Sequence, residues 1–187
     1  MGIPRRSLPV VPGMSENTQS QSARPDDAAD VVASTDPASD DAARAARTAD
    51  PGYRSVTIER IGQKHYRAVN AAGATLDFGQ GEGLLSPVEL LLAATAGCSA
   101  VDVDVVTSRR TEPESFAVEV SAIKGTDETG GARLNDVELS FRVRFPDDGP
   151  GRQAERMVPR LVALSHDKDC TVSRTVEHPT SVTSRVE

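Results

Sequence analysis

The window Ser86-Pro87-Val88-Glu89 constrains this chain more than any other stretch of it. Ser suits a helix N-cap, Pro suits the first helical position, and Glu three residues after Ser completes a capping box. Leu90, Leu91, Leu92, Ala93 and Ala94 follow, and the helix is expected to run to about Arg110, where basic residues suit its negative end. Its first half is apolar nearly all round, so it belongs at the centre of a fold. Val101-Asp102-Val103-Asp104-Val105 alternates as a strand does, but the cap and the lack of an intervening turn residue favour helix.

The flanking segments supply what such a helix needs to be covered. Tyr53–Arg60, Lys64–Asn70 and Ala74–Phe78 read as three strands, joined by turns at Gly62–Gln63 and Asn70–Gly73. Gly79–Gly83 breaks the pattern before the helix. Beyond it, Ser115–Lys124 and Arg133–Phe145 read as strands joined by the Gly- and Asp-rich loop Gly125–Gly131. Pro146–Gly151 is a loop and Arg152–Ser165 an amphipathic helix containing Pro159. Asp167–Glu177 is a short helix or turn, and Thr180–Val186 a last strand. Strands and helices segregated in this order predict an α+β domain.

That domain is expected to span 53–187. Residues 1–52 hold none of the six aromatics, and Arg24–Asp50 is built from Ala, Asp, Arg, Ser, Thr and Pro with little else. Such a segment buries too little apolar surface to offset its ordering entropy, so 1–52 reads as a disordered leader with at most a transient helix over Asp40–Ala49. It carries 5 basic and 8 acidic residues, which makes it a solvated leader rather than an acidic binding arm. Met14 is an alternative start. Met1–Gly13 has too short and Pro-broken an apolar core for a signal peptide, so the cytoplasm is the expected compartment. No apolar run is expected to reach the roughly 20 residues of a membrane helix. Lys and Arg number 21 against 28 Asp and Glu, a net charge of -7 that repels nucleic-acid phosphates and anionic lipid.

Few residues are placed to do chemistry. His65, His166 and His178 show no ligand spacing with either cysteine, so no metal is expected. Gly79-Gln80-Gly81-Glu82-Gly83 lacks the Lys of a phosphate loop, no nucleophile elbow is present, and no cofactor is implied. Cys98 and Cys170 remain. Cys98 sits among small residues, Ala93-Ala94-Thr95-Ala96-Gly97-Cys98-Ser99-Ala100, as an inert thiol in a tight helix contact also would. Asp102, one turn on, disfavours its thiolate. Cys170 reads differently. If Ser165–Arg174 is helical, His166 and Arg174 flank it on one face with Lys168 close by, a cationic setting that lowers a thiol pKa. Local charge therefore nominates Cys170 as the more acidic thiol.

The two cysteine windows together carry a resemblance. Leu85-Ser86-Pro87-Val88-Glu89-Leu90-Leu91-Leu92-Ala93-Ala94-Thr95-Ala96-Gly97-Cys98-Ser99-Ala100-Val101-Asp102 resembles the central-helix signature of the OsmC/Ohr family. Leu164-Ser165-His166-Asp167-Lys168-Asp169-Cys170-Thr171-Val172-Ser173 is similar to its second-cysteine motif. The resemblance implies an intertwined homodimer, with antiparallel sheets wrapped around long central helices and active sites at the subunit interface. It also implies peroxiredoxin-like reduction of hydroperoxides in oxidative-stress defence. Cys98 matches the peroxidatic position and Cys170 the resolving one, with an external dithiol as reductant. That order opposes the ranking from local charge.

The chain also departs from the family pattern. Hydroperoxide-reducing members carry Glu directly after the helix Pro, where it orients a loop Arg over the reactive cysteine. Val88 holds that place here. Glu89, the candidate orienting acid, comes one residue later, about 100° further around the helix. Gly62-Gln63-Lys64 offers no matching arginine, leaving Arg67 as the candidate. Asp102 is expected to pair with a basic residue such as Arg109 or Arg110 of a partner chain, or to be solvated. Two alternative functions follow: a non-enzymatic dimer that binds a small apolar ligand, and a sensor that signals through a Cys98–Cys170 disulfide.

Overall fold

A computed structural model describes residues 37–178 and 180–186. The chain divides into two units, Met1–Tyr53 and Arg54–Glu187. In the first, helix α1 spans Pro37–Thr48, close to where a transient helix is expected, and Thr48 Oγ1 closes its end on the Ala45 carbonyl at 3.0 Å. The disorder expected of 1–36 and the alternative start at Met14 lie outside the described residues.

The second unit is α+β. Strands β1 (Val56–Gly62), β2 (His65–Asn70) and β3 (Thr75–Gly79) form an antiparallel sheet in chain order. Asn70 makes the second turn: its Oδ1 accepts the N–H groups of Ala72 at 3.0 Å and Ala74 at 2.9 Å. The sheet ends at Gly79, whose φ of +155° and whose contact with the Lys64 carbonyl leave no room for a side chain. Strands β4 (Ser115–Thr126) and β5 (Ala132–Arg144) form a second antiparallel sheet, a long hairpin. Its loop is held by Asp127 Oδ1, which accepts from the Thr129 hydroxyl and from the N–H groups of Thr129 and Gly131. The register slips between Ser121 and Ile123, opposite Asp136 at φ +52°, so β5 bulges there.

Helix α2 runs from Pro87 to Thr107 with the expected capping box in place. It packs on β4, on α3 (Gly149–Leu164), on a π turn over Ser165–Asp169 and on α4 (Thr171–Glu177). The buried residues of α2 are Thr95, Ala96, Ser99, Val103 and Thr107, a single stripe at helical spacing. Val88, Leu91, Val101 and Val105 remain exposed, as do Val56 and Ile58 of β1. A helix expected to be buried all round is thus covered on one side by its own chain.

Other expectations are corrected. Helix α3 starts before Arg152 because Asp148 caps it, accepting the Gly151 N–H at 2.7 Å. Residues 180–186 form no strand; strand pairing needs a free sheet edge that a period-two pattern does not specify. At 21 residues, α2 is long and apolar enough by length and composition to cross a membrane, so the expected lack of any such run does not hold.

Candidate active site

Cys98 lies on α2, half-buried, with Asp102 one turn further along the same face. Cys170 is fully buried and is not within a helix. The backbone after α3 widens into the π turn, closed by the Cys170 N–H donating to the Ser165 carbonyl at 2.9 Å. Cys170 then takes an extended conformation (φ -73°, ψ 98°) and becomes the N-cap of α4. Its sulfur accepts the Ser173 N–H at 3.3 Å, and the neutral thiol donates to Ser173 Oγ at 3.2 Å, a hydroxyl that can turn to donate once the sulfur is ionised. The expected continuous helix over Ser165–Arg174 is therefore broken at the cysteine. His166 and Arg174 do not flank Cys170 on one helical face.

The two thiols, 72 residues apart in sequence, are brought close enough for each to shift the other's ionisation, and both are free. Their environments differ. Burial pushes the Cys98 thiol up against the opposing pull of the Val172 N–H, and Cys170 and Asp102 push it further. Burial also works against ionisation of Cys170. Hydrogen bonds from the Ser173 hydroxyl, the Ser99 hydroxyl, the Ser173 N–H and the Cys98 thiol outweigh it and bring Cys170 below the ordinary thiol value. Cys170 is the more acidic thiol, as local charge suggests, but hydroxyl and amide donors make it so. His166 instead faces Glu177, Nδ1 to Oε1 at 3.4 Å. Lys168, Arg174 and His178 line a separate open cleft with Thr171, Thr175 and Thr180.

Among the described residues, the hydrogen bonds of Glu89 are those of the helix cap. Its Oε2 accepts the Ser86 N–H at 2.7 Å, and its own N–H donates to Ser86 Oγ at 3.2 Å. The Ser86 backbone N–H, with help from its side chain, holds the Glu89 carboxyl below the usual carboxylate range. Arg67 is likewise engaged elsewhere, with Nε 2.7 Å from Asp77 Oδ1 and Nη2 2.9 Å from Oδ2. Within the chain, Asp102 Oδ2 accepts the Ser165 hydroxyl at 2.7 Å.

A cavity of about 690 Å³ is lined by Ser99 and Ser173, the chain neighbour of Cys98 and the hydrogen-bond partner of Cys170, but by neither cysteine. Its walls are mixed: Leu134, Leu139, Phe141 and Val176 alternate with Arg133, Asp136, Glu138, His166 and Glu177. Sequence reasoning missed Ser99, Ser165 and Ser173. Only Ser173 left a local trace, three residues after Cys170, the spacing at which an N-cap side chain meets a backbone N–H. Among the described residues, no group of three or more His, Cys, Asp or Glu could hold a metal ion.

Residues 79–185 match the family described as OsmC-like protein. No curated protein matches the chain. Among solved structures it is similar to a hypothetical protein from Aquifex aeolicus, at 21% identity and a TM-score of 0.54, covering 67% of this chain and 87% of that one. It is also similar to an OsmC-like protein of unknown function from Vibrio cholerae, at 15% identity and a TM-score of 0.52, covering 67% of this chain and 94% of the other. The organic hydroperoxide resistance protein OhrB of Bacillus subtilis is 22% identical over 66% of this chain and 90% of its own, with a TM-score of 0.44.

Proposed function

Because this chain belongs to the OsmC-like protein family, we propose that it is a two-cysteine, thiol-dependent hydroperoxide reductase that acts in oxidative-stress defence. The observation that carries this reading is that the fold brings Cys98 and Cys170, 72 residues apart in sequence, close enough to shift each other's ionisation, near a cavity lined by Ser99 and Ser173. The scheme starts from an ionised Cys170, the thiol held below its ordinary pKa, and from Cys98 as the more accessible thiol. Cys98 passes its proton to Cys170 as its sulfur attacks the terminal oxygen of the hydroperoxide. The O–O bond breaks, Cys98 becomes a sulfenic acid, and the departing alkoxide takes the proton from Cys170 to leave as an alcohol. The regenerated Cys170 thiolate attacks the Cys98 sulfur, expelling hydroxide and forming the disulfide. An external dithiol then reduces the disulfide by exchange. Leu134, Leu139, Phe141 and Val176 in the cavity lining support an organic hydroperoxide as the substrate.

The working form is a homodimer in the cytoplasm. Val56 and Ile58 are 59% and 53% exposed on β1, and Val101 and Val105 are 61% and 50% exposed on α2. Aliphatic side chains left open on both a sheet and the central helix support a second copy as their cover. Sedimentation at micromolar concentration tests it, and a monomer would count against the dimer. Stopped-flow consumption of an organic hydroperoxide with a dithiol reductant tests the enzyme reading. Turnover is expected in the wild type and lost in Cys98→Ser. Equal, background-level consumption by both proteins overturns it.

The raised Cys98 thiol favours a second reading, a non-enzymatic dimer that holds a small apolar ligand in the same cavity. A Cys98 that stays reduced after exposure to hydroperoxide, in a protein that retains an apolar probe, selects it.

A further inference from the structure

The Asp102–Ser165 hydrogen bond joins the segments that carry the two cysteines. Asp102 stands one turn beyond Cys98 on α2, and its Oδ2 accepts the hydroxyl of Ser165 at 2.7 Å across 63 residues of sequence. Ser165 is buried, with 1% of its surface exposed, and its carbonyl accepts the Cys170 N–H at 2.9 Å, the bond that closes the π turn. Ser99 and Cys98 of α2 both act on the ionisation of the Cys170 thiol. Cys98, Asp102, Ser165 and Cys170 are thus linked by one helical turn, one side-chain hydrogen bond and one backbone hydrogen bond, with the two thiols near each other at the ends.

Among the described residues, no other side-chain hydrogen bond joins α2 to the π turn. The π turn also packs against α2 and α3, and this hydrogen bond adds a directional tie between its first residue and the central helix. We infer that Asp102 is a positioning residue: through Ser165 it anchors the π turn on the central helix and so sets the proximity of the two thiols. Proximity enters disulfide formation directly, because a preorganised pair loses less freedom when the S–S bond closes. Asp102 also pushes the Cys98 thiol up. Anchoring and charge are separable, because Asn keeps the accepting oxygen and removes the charge.

The consequence for turnover rests on the two-cysteine reading, so the test uses equilibrium rather than activity. The full chain is equilibrated with mixtures of oxidised and reduced glutathione. One oxidised glutathione and the two protein thiols give the Cys98–Cys170 disulfide and two reduced glutathiones, and the bridged fraction is read by mass spectrometry. Asp102→Ala and Ser165→Ala are each expected to lower the equilibrium constant about tenfold, which raises the midpoint potential by about 30 mV. Asp102→Asn and Ser165→Thr retain a bond and are expected to stay within about threefold of wild type. Wild-type potentials in both alanine variants overturn the inference, as does a fall in Asp102→Asn equal to that in Asp102→Ala. If one alanine variant fails to fold, the other still decides. A wild type that forms no bridge at any poise refutes the two-cysteine reading itself, and this inference with it.

Discussion

Ser173→Ala is the perturbation that bears most directly on where the charge of the thiol pair resides. Ser173 Oγ lies 3.2 Å from the Cys170 sulfur, and Ser173 is 6% exposed, so water cannot readily replace the lost hydroxyl. A hydrogen bond to a charged group contributes about 1.5–3 kcal/mol, and one pKa unit corresponds to about 1.36 kcal/mol. Full loss would therefore raise the Cys170 pKa by about one to two units. The Ser99 hydroxyl and the Ser173 N–H remain on the sulfur and share the load, which places the expected rise near one unit. The measurement compares Cys98→Ala with Cys98→Ala/Ser173→Ala, so that a single thiol titrates, and follows thiolate absorbance in the ultraviolet against pH. Stability carries the same sign. Because the folded pKa of Cys170 is lowered, its contribution is present above the unfolded thiol value and is lost as pH falls through the folded one. Ser173→Ala narrows that window from below. A midpoint that stays put or moves down would refute hydroxyl stabilisation of the thiolate.

Four further outcomes are expected. Ser86→Ala removes the accepting half of the capping box and is expected to destabilise the protein by about 1 kcal/mol, read by chemical denaturation; Glu89→Gln is expected to leave the alkylation rate of Cys98 unchanged, and a changed rate would restore an active-site role to Glu89. Val103→Ala empties a fully buried site on α2 and is expected to destabilise by about 2 kcal/mol, with a loss under about 0.5 kcal/mol refuting the assigned core. Asp77 is held below its usual range by Arg67, Glu89 by the Ser86 N–H, and Asp127 by the Thr129 hydroxyl. Their stabilisation is present above the ordinary carboxylate pKa and is lost as pH falls through the lower folded values. Thermal midpoints are therefore expected to drop on acidification below about pH 4, and less steeply in Asp77→Asn/Asp127→Asn.

What the amino-acid order determined was local. Ser86, Pro87 and Glu89 mark the start of α2 to the residue, because a capping box is made within four positions. Period-two runs located all five strands within three residues at each end, and Asp148 near Gly151 held the unread signal for the start of α3. The pattern at 180–186 misled, since a strand exists only where a sheet edge accepts it. The site was decided in three dimensions. Neighbouring cations suggested an acidic Cys170, but the donors that make it so are Ser173, which reaches it through the extended backbone after the π turn, and Ser99, which comes from another helix. The partner of Asp102 is 63 residues away, and that of Cys98 is 72. Helix caps and strand periods are properties of neighbours along the chain, whereas the acidity and pairing of a thiol depend on atoms that only packing brings within a few ångströms.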